Sequence, residues 1–186
     1  MTGVASHFVS GKGFVDFVRS YRYTAFRLEV RDNYAAPEEE EPVRRFLSGE
    51  AEDDSWMDDW CGMIMRRSLS GVRMERVRVV SEPWSDYTRF GLHLSRLNVA
   101  AGEDIRYLPR DQAKELELPD YDFWLIDARR MCILRHDGTG VLLGADVIDD
   151  PAVVVEHCYY REVARHYALP RAHYLSERGS CRDKQV

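Results

Sequence analysis

Residues 120–127 read DYDFWLID. Phe123, Trp124, Leu125 and Ile126 have the length and apolar character of a short buried strand, and Asp120, Asp122 and Asp127 bracket it. Residues 128–130 (ARR) read as a turn, MCILRH (131–136) as a second strand, DGTG (137–140) as a hairpin turn, and the residues after it as a third short strand. The bracketing acids have two readings. Asp120 and Asp122 share a face, as a general acid/base pair must, whereas Asp122 and Asp127 are five residues apart and point to opposite faces. Alternatively, Asp120 caps a turn and Asp127 opens the hairpin.

Upstream, TAFRLEV (24–30) alternates, with Phe26, Leu28 and Val30 on one side and Arg27 and Glu29 on the other, the pattern of a half-buried strand. VRMERVRVVSEP (72–83) alternates too. Arg76, Arg78 and Val80 share a face and Val77 and Val79 lie on the other. EDIRYLPR (103–110) is another short strand, and DQAKELELPDY (111–121) reads as a polar connector. Helical spacing appears in FVDFVRS (14–20), in a short segment ending near Gly49, and between Asp54 and Gly71, where Trp56, Trp60, Met63, Ile64 and Arg67 form a stripe read as core. A further helix runs from a Ser85 cap to Gly102, and a last one starts at Pro151. Strands interleaved with helices and followed by a hairpin predict an α/β (α+β) domain, with a mixed β-sheet flanked by helices. Residues 1–175 are expected to form a single globular domain and residues 176–186 a polar, disordered tail.

The bulk numbers exclude several classes. No run of eighteen apolar residues spans a membrane, and the first residues lack the basic and apolar regions of a secretory signal, so a cytoplasmic location is expected. A net charge of −6 makes direct nucleic-acid binding a minor option. Cys61, Cys132, Cys158 and Cys181 form no CxxC pair, which disfavours a zinc site; Cys181, in the polar tail, is expected to be exposed. Glu156, His157 and His166 do not match HExxH, and with Tyr159 and Tyr160 they read as surface or interface residues. GxSxG, Walker and GxGxxG motifs are missing, so neither a metal nor a cofactor is expected.

Several motifs in order, FVDFVRS, AFRLEV, RVRVVSEPWSDYTRF (76–90), AAGEDIRYLPR (100–110) and DFWLID (122–127), resemble an uncharacterised actinobacterial family covering about residues 14–170. That resemblance implies an association with helix-turn-helix regulators, beside which its members are often encoded. More remotely, the order of strands and helices is similar to one half of a phospholipase D-like domain. Active members of that class carry H-x-K-x-x-x-x-D. With the final aspartate on Asp127, the histidine position falls on Asp120 and the lysine position on Asp122. An aspartate repels the phosphate that the lysine binds, so the resemblance implies a copy without that chemistry.

Strand ends are where α/β sheets usually build sites. Arg78, Glu82, Tyr87, Arg89 and Arg106 are therefore expected to converge with Asp122, and Trp124 and Asp127 complete the candidate set. These residues suit a pocket that clamps an anionic ligand or an acidic partner segment. Arginine–glutamate pairs sealing a polar sheet face are the plainer reading. Two functions follow: a non-catalytic accessory of a helix-turn-helix regulator, or a small-molecule-binding protein or enzyme of specialised metabolism with its pocket at the end of the 76–83 strand.

Overall fold

Two apolar faces back to back require helices on both sides of one sheet, and that is the architecture of the computed structural model. It describes residues 5–51 and 53–182; the side chains of residues 179–182, Cys181 among them, are outside that description. In chain order the elements are β1 (Ser6–Val9), α1 (Gly11–Val18), β2 (Thr24–Glu29), α2 (Glu40–Ser48), α3 (Asp58–Leu69), β3 (Arg73–Val80), α4 (Asp86–Ala100) and β4 (Asp104–Pro109). There follow α5 (Arg110–Glu115), β5 (Phe123–Ile126), β6 (Arg130–His136), β7 (Leu142–Ile148), α6 (Pro151–Tyr167), β8 (Leu169–Pro170) and α7 (Arg171–Arg182). The eight strands form one sheet in the order β1-β7-β6-β5-β2-β3-β4-β8. β2, β3 and β4 run parallel; every other pairing is antiparallel. The expected mixed sheet flanked by helices is what forms.

Period-2 alternation sorts the strands onto two faces. Phe26, Leu28, Val77, Val79, Leu108, Phe123 and Leu125 pack against Ala113 of α5 and Val154 and Ala164 of α6. On the other face, Ala25, Met74, Trp124, Ile126, Cys132 and Leu134 pack under Phe17 and Val18 of α1 and Met63 and Ile64 of α3. Farther along this second face, Val80, Ile105 and Tyr107 meet Leu92 of α4 and Tyr174 of α7. Between those two clusters the same face carries Arg27, Glu29, Arg76 and Arg78. It is apolar at both ends and ionic in the middle.

Local signals set the helix ends. Ser85 Oγ accepts from Thr88 N–H to start α4, and Asp150 Oδ1 accepts from Ala152 and Val153 N–H to start α6. Gly49 takes a left-handed φ of 70° just past α2. Four expectations change. The 111–121 connector contains α5, whose Ala113 is buried under the sheet. β1 pairs antiparallel with β7, although the N-terminal segment shows no strand alternation. The helix α7 occupies the first part of the segment expected to be a disordered tail; residues 183–186 lie outside the described residues. His157 is buried, its Nδ1 2.8 Å from Val153 O and its Nε2 3.0 Å from the Tyr121 hydroxyl. None of the described helices is long and apolar enough to cross a membrane.

Candidate functional site

The ionic middle of the sheet lies under a cavity of about 810 Å³, roofed by α1, the 35–39 segment, the start of α3 and α4. That size falls within the roughly 300–1,000 Å³ of small-molecule sites. The parallel register builds its floor, because Arg27 stands beside Arg76 and Glu29 beside Arg78. Glu29 Oε1 is 3.0 Å from Arg27 Nη1 and 2.9 Å from Arg76 Nη1. Glu29 Oε2 is 2.8 Å from Arg78 Nε, near enough for ion pairing but not aligned as a hydrogen bond. Arg76 Nε donates to Glu103 Oε1 at 2.7 Å, and Asn98 Nδ2 donates to Glu103 Oε2 at 2.8 Å. Burial pushes the Glu29 carboxyl upward, but the guanidiniums of Arg27, Arg76 and Arg78 outweigh it and hold the pKa at about 2.

Aromatic side chains form the walls. The Arg27 guanidinium carbon lies 5.3 Å from the Trp124 ring centre and 5.9 Å from that of Tyr34. Arg78 lies 5.9 Å from the Tyr87 ring centre. The Tyr34 hydroxyl donates to Asp122 Oδ2 at 2.6 Å, and the Tyr87 hydroxyl donates to Glu39 Oε2. Burial raises the pKa of Glu39 and lowers that of His136. Two buried donors of cavity-lining residues, Arg27 Nε and Trp124 Nε1, have no acceptor among the described residues.

The ionic floor is poor value as a stability device. Burying carboxylates and guanidiniums costs several kcal/mol per ion, and well-packed apolar residues often replace such clusters without loss. Charge retained in the centre of a sheet, beneath a cavity, is what a binding site requires.

Of the residues expected to converge, the structure brings Arg78, Tyr87 and Trp124 to this cavity. Asp122 stands behind the wall, bonded to Tyr34. The other four lie elsewhere. Glu82 accepts from the Tyr174 hydroxyl at 3.0 Å and pairs with Arg178, fixing α7 to the end of β3. Arg89 is exposed and paired with Asp86 one turn back. Arg106 is on the opposite sheet face, bonded to Asp104 and to Arg165 O. Asp127 is in the β5–β6 turn with a φ of 54°, accepting from the N–H groups of Arg22, Tyr23 and Thr24. The cavity therefore lies over the middle of the strands, not at the end of the 76–83 strand. Arg27, Glu29 and Arg76 were absent from the candidate set. Their signal was the matched alternation of AFRLEV and RVRVV, which puts charges on one face of two strands. Trp56 and Trp60, read as core, line the cavity mouth, while Met63 and Ile64 of the same stripe are buried.

A family model described as a domain of unknown function (DUF6879) matches residues 12–176, and the chain belongs to that family. No curated protein matches the sequence. Among solved structures, phospholipase D-like NucT from Helicobacter pylori aligns at 11% identity with a TM-score of 0.48, over 86% of this chain and 89% of that one.

Proposed function

We propose that the chain is a cytoplasmic small-molecule-binding protein whose site is the cavity above Arg27, Arg76 and Arg78. The observation that carries this reading is the coincidence of a ligand-sized cavity with the buried ionic patch at its floor. Free Cys61, Cys132 and Cys158 fit a reducing compartment. Binding is favoured over turnover because the wall's titratable groups already engage one another: Glu29 with three arginines, Tyr87 with Glu39, and Tyr34 with Asp122. The test is a thermal-shift screen of the parent protein and Val15→Trp against nucleosides, amino acids, amines and organic acids. Val15 lines the cavity and is 44% exposed, so the larger ring narrows the mouth without disturbing the core. A ligand that stabilises the parent and not the variant supports the reading, since binding to the native state alone raises the melting temperature. Equal stabilisation of both moves the site elsewhere, and no stabilisation by any class counts against a ligand.

The second reading is the accessory of a helix-turn-helix regulator that the resemblance to the actinobacterial family implies. The observation in its favour is on α6, where Val155 and Tyr159, four residues apart, are 67% and 63% exposed. A regulator that co-purifies with the parent chain and is lost from Val155→Asp supports it; retention by the variant places the contact elsewhere.

A further inference from the structure

In the ion-pair network of the cavity floor three guanidiniums, Arg27, Arg76 and Arg78, meet two carboxylates, Glu29 and Glu103. Two further acids, Asp122 and Glu39, accept from the Tyr34 and Tyr87 hydroxyls. At the mouth Arg19 is matched by Asp59 at 2.8 Å, and Glu38 is exposed to water, where its field is screened. Of the three guanidiniums Arg27 is the most available, because Arg76 is shared between Glu29 and Glu103, and Arg78 is wedged under α4. There a β-carbon on Gly91 would come within 2.1 Å of Arg78 Nη1. Among the described residues Arg27 has a single ion-pair partner, through Nη1, and an Nε without an acceptor, and the Trp124 and Tyr34 ring centres lie 5.3 and 5.9 Å from its guanidinium carbon. Most of the remaining lining is apolar, including Phe14, Val18, Trp60 and Leu134.

On the reading of this cavity as a small-molecule site, we infer that its ligand is an amphipathic monoanion, an aromatic carboxylic acid. Its carboxylate pairs with Arg27 and its ring lies against the Trp124–Trp60 wall. A carboxylate supplies the acceptor that the buried Arg27 Nε lacks among the described residues. A planar ring suits walls built from Tyr34, Trp60, Tyr87 and Trp124. A guanidinium presents its donors in a planar fork that matches a carboxylate.

The test compares matched acids and amides by isothermal titration: indole-3-acetate with indole-3-acetamide, and 2-naphthoate with 2-naphthamide. The amides are expected to bind roughly tenfold to a hundredfold more weakly, the range for hydrogen bonds to a charged group. Arg27→Gln is expected to abolish the difference between acid and amide. The comparison in the parent protein stands even if that variant folds poorly. Acid and amide binding alike overturns the monoanion. Binding by neither acid, with another class found in the broader screen, overturns the inference and spares the small-molecule reading. Binding by nothing at all removes both.

Discussion

At Glu29 one carboxylate holds three guanidiniums, and the consequences can be measured. Removing one partner of a buried ionic cluster typically costs about 3–5 kcal/mol, since the charges left behind are desolvated and unpaired. Glu29→Gln is expected to lose that much stability in urea denaturation near neutral pH. The folded pKa of about 2 lies below the ordinary 4.5. Glu29's contribution is therefore fully present above 4.5 and is lost as pH falls toward 2. The gap between parent and variant should narrow over that window; a constant gap would mean that Glu29 does not titrate as the pairing requires. Glu39 has the opposite sign. Burial raises its pKa, so its contribution is present below the ordinary 4.5 and is lost as pH rises through the folded value. Glutamine imitates the protonated acid and still accepts from Tyr87. Glu39→Gln is thus expected to be more stable than the parent at mildly alkaline pH, with the difference vanishing below 4.5. At Gly91 two effects compete. Alanine gains about 1 kcal/mol of helix propensity, but its β-carbon meets the Arg78 guanidinium at 2.1 Å. Arg78 is held by Glu29 at 2.8 Å and cannot swing away without breaking a buried pair, so Gly91→Ala is expected to cost about 1–3 kcal/mol net.

At the level of the element, the acids bracketing FWLI are clamps. β5 runs antiparallel to β2, so its two ends meet the two ends of that strand. Asp122 Oδ1 accepts from Val30 N–H at 2.8 Å just past the C-terminal end of β2, and Asp127 accepts from Arg22, Tyr23 and Thr24 N–H at its start. For Asp127, burial raises the pKa, and those backbone donors outweigh it and hold the carboxyl below its ordinary value. Asp127→Ala strands several N–H groups and places alanine at a φ of 54°; a loss of about 2–3 kcal/mol is expected. Asparagine tolerates that φ and keeps one acceptor oxygen, so Asp127→Asn should lose about half as much, and equal losses would refute the clamp. Asp122→Ala acts on both the clamp and the site: it strands the Val30 N–H and frees Tyr34, and with it one wall of the cavity, so stability and ligand affinity are both expected to fall. The sequence made the strands of this clamp legible, because FWLI is apolar and AFRLEV alternates. The partnership between them was hidden: which strand end an aspartate reaches depends on the neighbour and the register, and those are set by contacts about ninety to a hundred residues apart. The floor of the cavity was half-legible for the same reason. The pattern put Arg27 and Glu29 on one face and Arg76 and Arg78 on one face, but only the parallel pairing of β2 with β3 makes those faces the same one.

For the whole molecule, two of the missed pieces, β1 and α7, lie toward the ends of the chain. β1 borrows its pairing from β7, and α7 borrows its burial from β4 and α4, so neither has a strong local pattern to announce it. Yet α7 completes a core. Tyr174 is fully buried, stacks on Tyr107 with ring centres 5.2 Å apart, accepts from Trp84 Nε1 at 3.0 Å and donates to Glu82 at 3.0 Å. Removing residues 171–186 would uncover Tyr107, Val80, Ile105 and Leu92 together and take away the Tyr174 hydroxyl that bonds Trp84 and Glu82. Truncating one large buried aromatic costs about 3–5 kcal/mol, and a domain has only about 5–15 kcal/mol in total. Tyr174→Ala is therefore expected to lower the melting temperature by about six to twenty degrees, at roughly two to four degrees per kcal/mol for a chain of this size. The truncated chain is expected to lose cooperative unfolding altogether. Tyr174→Phe keeps the stacking and drops only the hydroxyl's two bonds, so it should cost about 1–2 kcal/mol. If the truncated chain unfolds cooperatively within a few degrees of the parent, α7 is an appendage and the domain closes at β8. If it does not, the helix is a structural part of the sheet's second face, and Glu82 acts in holding it there.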